Sequence, residues 1–191
     1  MRYEELFRRL QGALAAPPRS ILSIDGFQRA AVLVPVIHSG DRADLLLTMR
    51  THDVETHKGQ VSFPGGVVDA GDRDMLHTAL RETEEELGIE EDAIAIVGLL
   101  DDLATPSGFI ITPVVGLVSS MPPLRLNPRE VAEAFSVPLE FFAESANVRR
   151  EQREFLGRMH DVWYYDTEDH VVWGATASII RTLLKRMGKM E

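Results

Sequence analysis

Three glutamates that share one face of a predicted helix are the strongest chemical feature of this sequence. Glu82, Glu85 and Glu86 stand at positions i, i+3 and i+4, and residues at this spacing lie on the same side of a helix. Like charges so placed destabilise a helix by roughly 0.2–0.5 kcal/mol per pair. A divalent cation offsets that repulsion, because Mg²⁺ binds carboxylate oxygens together with substrate phosphates. The spacing therefore predicts a metal site.

A glycine-rich turn precedes this helix. The turn reads GGVVDAGD and begins at Gly65. We expect the helix to span about Asp74 to Leu87, with Gly88 as its C-terminal cap, because glycine readily adopts the left-handed conformation found there. Asp72 is the expected N-cap, since aspartate side chains accept hydrogen bonds from first-turn N–H groups.

The turn and the helix together resemble the sequence motif of the Nudix hydrolase family. That motif has a glycine, five residues, a glutamate, seven residues, and then Arg-Glu-hydrophobic-any-Glu-Glu-any-Gly-hydrophobic. Residues 81–89 read RETEEELGI and match its second half, with Thr83 at a hydrophobic position. In the first half Asp72 replaces the glutamate, and eight residues rather than seven separate it from Arg81. The motif therefore covers residues 66–89.

Segments outside the motif resemble the coenzyme A pyrophosphatase branch of the family. Residues 46–51 and 56–66 resemble an upstream signature of that branch, with Thr51 where serine or alanine is usual and Glu55 where a basic residue is usual. Three further segments also match, namely TPSGF at 105–109, NPREV at 127–131 and VWGATA at 172–177. The resemblance covers about residues 28–184. It implies an α/β/α sandwich around a mixed β-sheet.

The activity implied by the resemblance is metal-dependent hydrolysis of a nucleoside diphosphate that is linked to another group. The implied cofactor is Mg²⁺ or Mn²⁺, which neutralises phosphate charge and lowers the pKa of bound water. The implied substrate is coenzyme A or one of its thioesters, cleaved to 3′,5′-ADP and 4′-phosphopantetheine or its acyl form. ADP-ribose, a dinucleotide or another nucleoside diphosphate derivative is the alternative substrate. The alternative from another functional class is a protein that has the Nudix fold and binds its ligand without hydrolysing it.

The glutamates of the helix are assigned to the metal. The ligands are Glu82, Glu85 and Glu86, and the resemblance adds the carbonyl oxygen of Gly65. Arg81 is expected to orient one glutamate through an ion pair, as residues outside a metal's ligand set commonly do.

The general base has three candidates. Glu82 is the first, Glu130 the second and Glu133 the third. Glu130 and Glu133 are three residues apart, so they also fit the charged edge of a short helix predicted over Arg129–Phe135. A base must reach the attacking water, and the sequence leaves the choice open.

Basic residues upstream of the glycine turn are candidates for binding substrate phosphates. They are Arg50, His57 and Lys58. The alternative is that they occupy a loop and do not contact the substrate.

The composition restricts the class of protein and its partners. A chain of 191 residues is most simply one domain. The absence of cysteine excludes disulfides, thiolate metal sites and a cysteine nucleophile. A net charge of −10 argues against non-specific binding to nucleic acid or to anionic membranes, both of which attract basic surfaces. The expected partner is a small nucleotide substrate.

The location and the oligomeric state are less constrained by the sequence. The first residues are acidic and do not resemble a signal peptide, and no apolar run reaches the length of a spanning helix, so we expect a cytoplasmic protein. The sequence is compatible with a homodimer. Its candidate interface elements are the helix predicted over residues 2–15 and the region 143–170.

Hydrophobic periodicity predicts the elements that must position these residues. Helical spacing of apolar residues predicts helices at 2–15, 74–87 and 175–187. Apolar runs and alternation predict strands at 30–37, 44–49, 60–63, 93–100, 110–119, 148–155 and 162–165. Strands mixed with a few helices indicate a layered α/β domain.

Overall fold

Helices pack on a mixed β-sheet, and a second sheet of three strands completes the structure. The computed structural model describes residues 1–51, 59–155 and 157–190. The helices are α1 (Tyr3–Ala15), α2 (Met75–Leu87), α3 (Leu139–Ala143) and α4 (Gly174–Arg186). The larger sheet contains β1 (Gln28–Ser39), β2 (Arg42–Arg50), β3 (Val61–Ser62), β4 (Gly65–Val67), β5 (Ile94–Leu99), β6 (Leu103–Ala104), β7 (Phe109–Val118) and β8 (Val131–Pro138). The second sheet contains β9 (Val148–Phe155), β10 (Arg158–Asp166) and β11 (Val171–Trp173). Within the described ranges, no helix has the length and apolar character needed to cross a membrane.

Strand β1 lies inside the larger sheet and makes it mixed. It pairs in parallel with β7 and antiparallel with both β2 and β4. The apolar run that predicts β1 is mostly buried, as expected for a strand that has a parallel neighbour and is covered on both faces. The predicted mixed sheet is confirmed.

Helices cover both faces of this sheet. Val34 of β1 belongs to a core that includes Leu10 of α1 and Leu183 of α4. Leu33, the adjacent residue, belongs to a second core that includes Leu80 of α2. Because successive strand residues point to opposite faces, α2 covers one face while α1 and α4 cover the other. This is the expected α/β/α arrangement.

Helix α2 has the predicted length, but its N-cap is not the predicted residue. The Asp74 carboxylate accepts a hydrogen bond from the backbone N–H of His77 at 2.8 Å. At the other end Gly88 has a φ of 69°, and its N–H donates to the Glu84 carbonyl. The prediction that Asp72 caps the helix is wrong, because the Asp72 carboxylate binds side chains of α2 instead.

One side of α2 packs on the sheet, and the adjacent side carries the carboxylates. The buried residues of the helix are Thr78, Ala79, Leu80, Thr83 and Leu87, together with Glu86, the one buried carboxylate. The Thr83 hydroxyl donates to the Ala79 carbonyl at 2.7 Å, which satisfies this polar group inside the core. Packing of this side fixes the rotation of the helix about its axis. The glutamates are therefore held toward the glycine turn.

The segment after residue 130 is a strand and not the predicted helical turn. Strand β8 pairs antiparallel with β2, and Leu45 lies opposite Val137. The helical turn predicted over Arg129–Phe135 is therefore wrong. The spacing of Glu130 and Glu133 suits a helix, but pairing with β2 satisfies backbone groups on two strands at once. Tertiary pairing outweighs the local charge pattern here.

The second sheet is attached to the core through β10 and α4. Strand β10 pairs antiparallel with β9 and with β11. Tyr165 of β10 is fully buried and packs edge-on against Phe142, with ring centroids 5.1 Å apart. The Arg181 guanidinium of α4 lies 3.5 Å from the centre of the Trp163 ring, a cation–π contact. These contacts anchor the base of the β9–β10 hairpin.

Candidate metal centre and substrate cavity

Three carboxylates converge where α2 faces the start of β8. Glu82 and Glu86 come from α2, and Glu130 comes from the loop before β8; each offers an oxygen that lies within 4.8 Å of the others. Glu86 is only 3% exposed. The Asn127 amide donates to the Glu130 carboxylate at 3.2 Å, and the Thr51 N–H donates to the Glu130 carbonyl. Pairing of β8 with β2 thus brings Glu130 to the helix.

The electrostatics of this cluster fit a hard cation. Burial raises the pKa of Glu86 to about 8, nearby Arg50 lowers it in part, and Glu82 and Glu130 raise it further. Burial also raises the pKa of Glu82, against the opposing effect of Arg81. Such shifts arise when carboxylates leave water and face one another. A divalent cation bound by three carboxylate oxygens would remove both penalties.

The glycine turn fits closely against the sheet and the Glu82 side chain. A Cβ on Gly66 would lie 2.5 Å from both Cδ and Oε1 of Glu82. A Cβ on Gly65 would overlap the Ala31 carbonyl and lie 2.5 Å from the Cα of Val32, and Gly65 has a φ of 151°. The backbone therefore requires glycine at position 65, and glycine at position 66 leaves the Glu82 carboxylate in place. The backbone of Gly65 hydrogen-bonds to Glu86; its carbonyl as a metal ligand stays a prediction.

Arg81 connects Asp72 to the glutamates. Its Nε and Nη2 donate to the Asp72 carboxylate at 3.0 and 2.9 Å, and its Nη1 donates to Glu82 Oε1 at 2.9 Å. Asp72 also accepts hydrogen bonds from Thr78 and His77. Together these bonds, that of Arg81 first, hold the pKa of the Asp72 carboxyl well below its usual range. The aspartate therefore orients Arg81, which orients Glu82.

The one-residue insertion in the motif is accommodated without loss of this contact. Asp72 and Arg81 meet through two hydrogen bonds although eight residues separate them. The bidentate geometry is the one in which arginine pairs most strongly with a carboxylate. Asp72 is thus a partner that positions Arg81, a contact that local sequence reasoning missed. The signal for this contact is Arg81, nine positions after Asp72, whereas a helix-capping pattern considers only the three or four residues after the cap.

Two of the other predicted acidic residues lie outside this cluster. The Glu85 side chain is 57% exposed and lies 3.3 Å from Arg81 Nη1, at the rim of the site. Glu133 is paired with His170 at 3.3 Å and lines a separate, smaller cavity. Glu130, rather than Glu133, is therefore the downstream candidate that the fold brings near Glu82 and Glu86.

The basic candidates are only partly described. Arg50 Nη1 lies 3.8 Å from Glu86 Oε1, and its Nε is buried without a hydrogen-bond partner among the described residues. Arg50 therefore lies beside the carboxylate cluster, and its contact with a substrate phosphate stays a prediction. His57 and Lys58 lie outside the described residues, and their assignment stays a prediction.

A cavity of about 870 Å³ opens from the carboxylate cluster. Its remaining lining is mainly apolar and includes Val32, Leu103, Phe109 and Ile111. Residues 105–107 and 173–176 also line it, so the TPSGF and VWGATA segments meet at one site. The Thr176 hydroxyl donates to the Val61 carbonyl at 3.0 Å, which fixes the start of α4 beside β3. A cavity of this volume is typical of small-molecule sites.

We expect the stability of the metal-free protein to fall between about pH 5 and pH 8. The Glu86 carboxyl keeps its proton in the folded state up to a pKa of about 8, whereas the unfolded chain loses it near 4.5. Its stabilising contribution is therefore complete below the unfolded pKa and is lost as the pH rises through the folded pKa. The loss is on the order of a few kcal/mol. Urea unfolding in the presence of EDTA at pH 5.5 and pH 8.0 measures this loss. An equal change in the free energy of unfolding between the two pH values in wild type and in Glu86→Gln would contradict the assignment.

Comparison with known proteins agrees with this geometry. The NUDIX domain model matches residues 27–159. The uncharacterized Nudix hydrolase NudL of Photorhabdus laumondii subsp. laumondii is 37% identical over 183 residues, which is 96% of each chain. NudL of Pectobacterium atrosepticum is 41% identical over 171 residues, 87% of this chain and 86% of the relative.

Solved structures share the fold at lower sequence identity. A MutT/nudix family protein from Enterococcus faecalis superposes with a TM-score of 0.55 at 15% identity, covering 98% of this chain and 75% of that chain. A C. elegans Ap4A hydrolase has a TM-score of 0.51 at 22% identity, covering 58% and 80%. The carboxylate cluster is what metal-dependent chemistry on a diphosphate requires, and with the domain match it identifies this chain as a member of the Nudix hydrolase family, enzymes that act on pyrophosphate bonds.

Proposed function

We propose that this enzyme hydrolyses the diphosphate bond of coenzyme A or its thioesters, releasing 3′,5′-ADP and 4′-phosphopantetheine or its acyl form. The observation that carries the proposal is the cavity of about 870 Å³, which joins an acidic cluster to a mainly apolar wall. The cluster suits a diphosphate neutralised by cations. The wall suits the long, weakly polar pantetheine arm better than a second sugar, whose hydroxyls would lose hydrogen bonds to water there.

The segments that resemble the coenzyme A branch support the same substrate. Residues 60–63, 105–107 and 173–176 all line this cavity, although they are far apart in the sequence. Thr51, a departure from the branch signature, has a structural role instead. Its hydroxyl donates to the Arg129 carbonyl at 2.8 Å, which braces the loop that carries Glu130. That departure therefore does not favour another substrate.

The carboxylate cluster and Arg50 have different roles in the proposed reaction. Glu82, Glu86 and Glu130 would hold the divalent cation, Mg²⁺ or Mn²⁺, which supplies charge neutralisation and a more acidic water. Arg50 lines the same cavity beside Glu86, where a fixed cation would stabilise charge that develops in the transition state. Catalysis at phosphorus depends mostly on such positioning and electrostatics.

A carboxylate near the attacking water accepts its proton. Glu82 is the first choice for this general base, because Arg81 holds one of its oxygens at 2.9 Å and thereby fixes the other. Glu130 is the second choice, since its carboxylate belongs to the same cluster. A pH–rate profile of the Glu130→Gln variant separates the two.

Product analysis tests the proposed function. We would incubate the protein with coenzyme A, dephospho-coenzyme A, ADP-ribose or Ap4A, each with Mg²⁺ or Mn²⁺, and separate the products by chromatography. We expect 3′,5′-ADP and 4′-phosphopantetheine from coenzyme A, with Glu86→Gln as the blank for contaminating enzymes. Cleavage of ADP-ribose or Ap4A but not of coenzyme A would reject the substrate while keeping the chemistry. Binding without cleavage of any compound would instead indicate a non-hydrolytic module.

A further inference from the structure

The β9–β10 hairpin contributes a wall to the cavity that the proposed reaction has not used. In the hairpin Arg153 lies directly opposite His160, and Phe155 lies opposite Arg158. Alternate residues of paired strands share a face. Phe155, His160, Arg153 and Val162 therefore lie on the same face, and all four line the cavity. The base of the hairpin is anchored on α4 through the contact of Arg181 with Trp163, so this wall has a defined position relative to the carboxylate cluster.

Two rings on this face contact each other. The centroids of the Phe155 and His160 rings are 5.8 Å apart, with an angle of 59° between their planes. Phe155 is half-buried and His160 is exposed. The pair therefore keeps aromatic surface open to the cavity, where a planar ligand would cover it. Ring pairs inside a closed core do not offer such surface.

The charges around these rings favour a neutral ligand. Arg153 donates to Glu151 at 3.1 Å, and Arg149 donates to the same carboxylate group. Arg153, which lines the cavity beside these rings, is thus already paired with a carboxylate. The charge of Arg153 is therefore largely balanced by Glu151, which weakens its attraction for a phosphate and does not affect an uncharged ring. Aromatic side chains stack on any nucleobase through its flat face.

We propose that Phe155, supported by His160, is the base-binding residue of this enzyme and stacks on the adenine of the nucleotide substrate. The inference rests on the proposed function in that the substrate carries an adenine nucleotide. It does not depend on what the second phosphate is linked to. The diphosphate is held at the carboxylate end of the cavity, and the base lies against the hairpin. The hairpin thereby selects for the nucleotide half of the substrate.

Calorimetric titration of the protein with AMP in the presence of Mg²⁺ tests the inference, since AMP has no diphosphate bond for the enzyme to cleave. Ribose 5-phosphate is the matched ligand without a base. We expect Phe155→Leu, which keeps apolar volume but removes the ring, to raise the Kd for AMP about tenfold. Phe155→Trp is expected to restore the affinity. Met159→Ala is the control, because Met159 is 59% exposed on the same hairpin and is not among the described residues that line the cavity.

The outcomes separate this inference from the proposed substrate. Equal affinity of the wild type for AMP and ribose 5-phosphate, or no binding of AMP, would overturn it. Unchanged affinity in Phe155→Leu would overturn it as well. Coenzyme A hydrolysis is measured on the same preparations. If the wild type leaves coenzyme A intact and Phe155→Leu lowers the affinity for AMP, the proposed substrate is rejected and the base site is kept.

Discussion

Replacing Glu86 with glutamine is expected to lower kcat by about 1,000-fold or more while leaving the fold intact. A cation that neutralises phosphate charge contributes several kcal/mol to the transition state, which is about three orders of magnitude in rate. Glu86 belongs to the three-carboxylate cluster and is its most buried member. The glutamine amide has nearly the same shape but no charge to hold the cation. The variant should remain folded, because burial already favours the neutral form of this side chain.

The measurement is kcat over a Mg²⁺ titration, with Glu84→Gln as the control. Glu84 lies on the same helix two residues earlier, is exposed and is not part of the carboxylate cluster. Its replacement changes the net charge by the same amount, so the control isolates position from charge. We expect kcat within about twofold of wild type for Glu84→Gln, as for most surface substitutions. If Glu86→Gln retained a rate close to wild type at saturating Mg²⁺, the assignment of the cluster to the cation would be abandoned.

Much of the site could be predicted because its first part is local. The spacing of Glu82 and Glu86 places them on one face of α2, and a single helical turn is enough to establish this. The buried stripe of the same helix follows from the same periodicity. Glu85 shows the limit of the argument. It shares the face by spacing, yet it stands at the exposed rim because packing sets the exact rotation of the helix.

The remainder depends on contacts between distant segments. Glu130 reaches Glu86 only because β8 pairs with β2, and the charge spacing around Glu130 indicated a helix instead. Asp72 resembled a helix cap, but the fold gives it Arg81 as a partner. Both errors have one physical origin. Local patterns compete with long-range pairing, and pairing that satisfies more buried polar groups prevails.

The cavity wall formed by the hairpin lies beyond sequence reasoning for the same reason. Alternation predicted strands at 148–155 and 162–165, and β9 and β10 confirm them. The alternation of apolar and polar residues also indicates which side chains share a face of the hairpin. It does not indicate which part of the protein each face contacts. That depends on α4, whose Arg181 packs on Trp163 and sets the direction of the hairpin. The role of Phe155 therefore becomes visible only in the folded structure.

Replacing Gly66 with alanine is expected to lower kcat about 100-fold without unfolding the protein. The added Cβ would lie 2.5 Å from Cδ and Oε1 of Glu82, well inside van der Waals contact. The carboxylate end of a glutamate is flexible, so it would move aside at little cost to folding. That movement changes the position of the Glu82 carboxylate relative to Glu86, Glu130 and Arg81. A displacement of about 1 Å at a catalytic group can cost about 100-fold in rate.

Gly71→Ala is the matched control, because it places the same methyl group in the same glycine-rich turn. A Cβ on Gly71 would meet nothing within 4 Å, and neither Gly66 nor Gly71 has a positive φ that alanine would strain. We therefore expect Gly71→Ala to keep full activity and both variants to melt close to the wild-type Tm. The two substitutions then differ only in what the methyl group meets. Equal kcat values for the two variants would show that the close approach of Gly66 to Glu82 does not govern catalysis. A large drop in Tm for Gly66→Ala alone would show instead that the Glu82 side chain cannot yield, and that the turn is held as rigidly as the core.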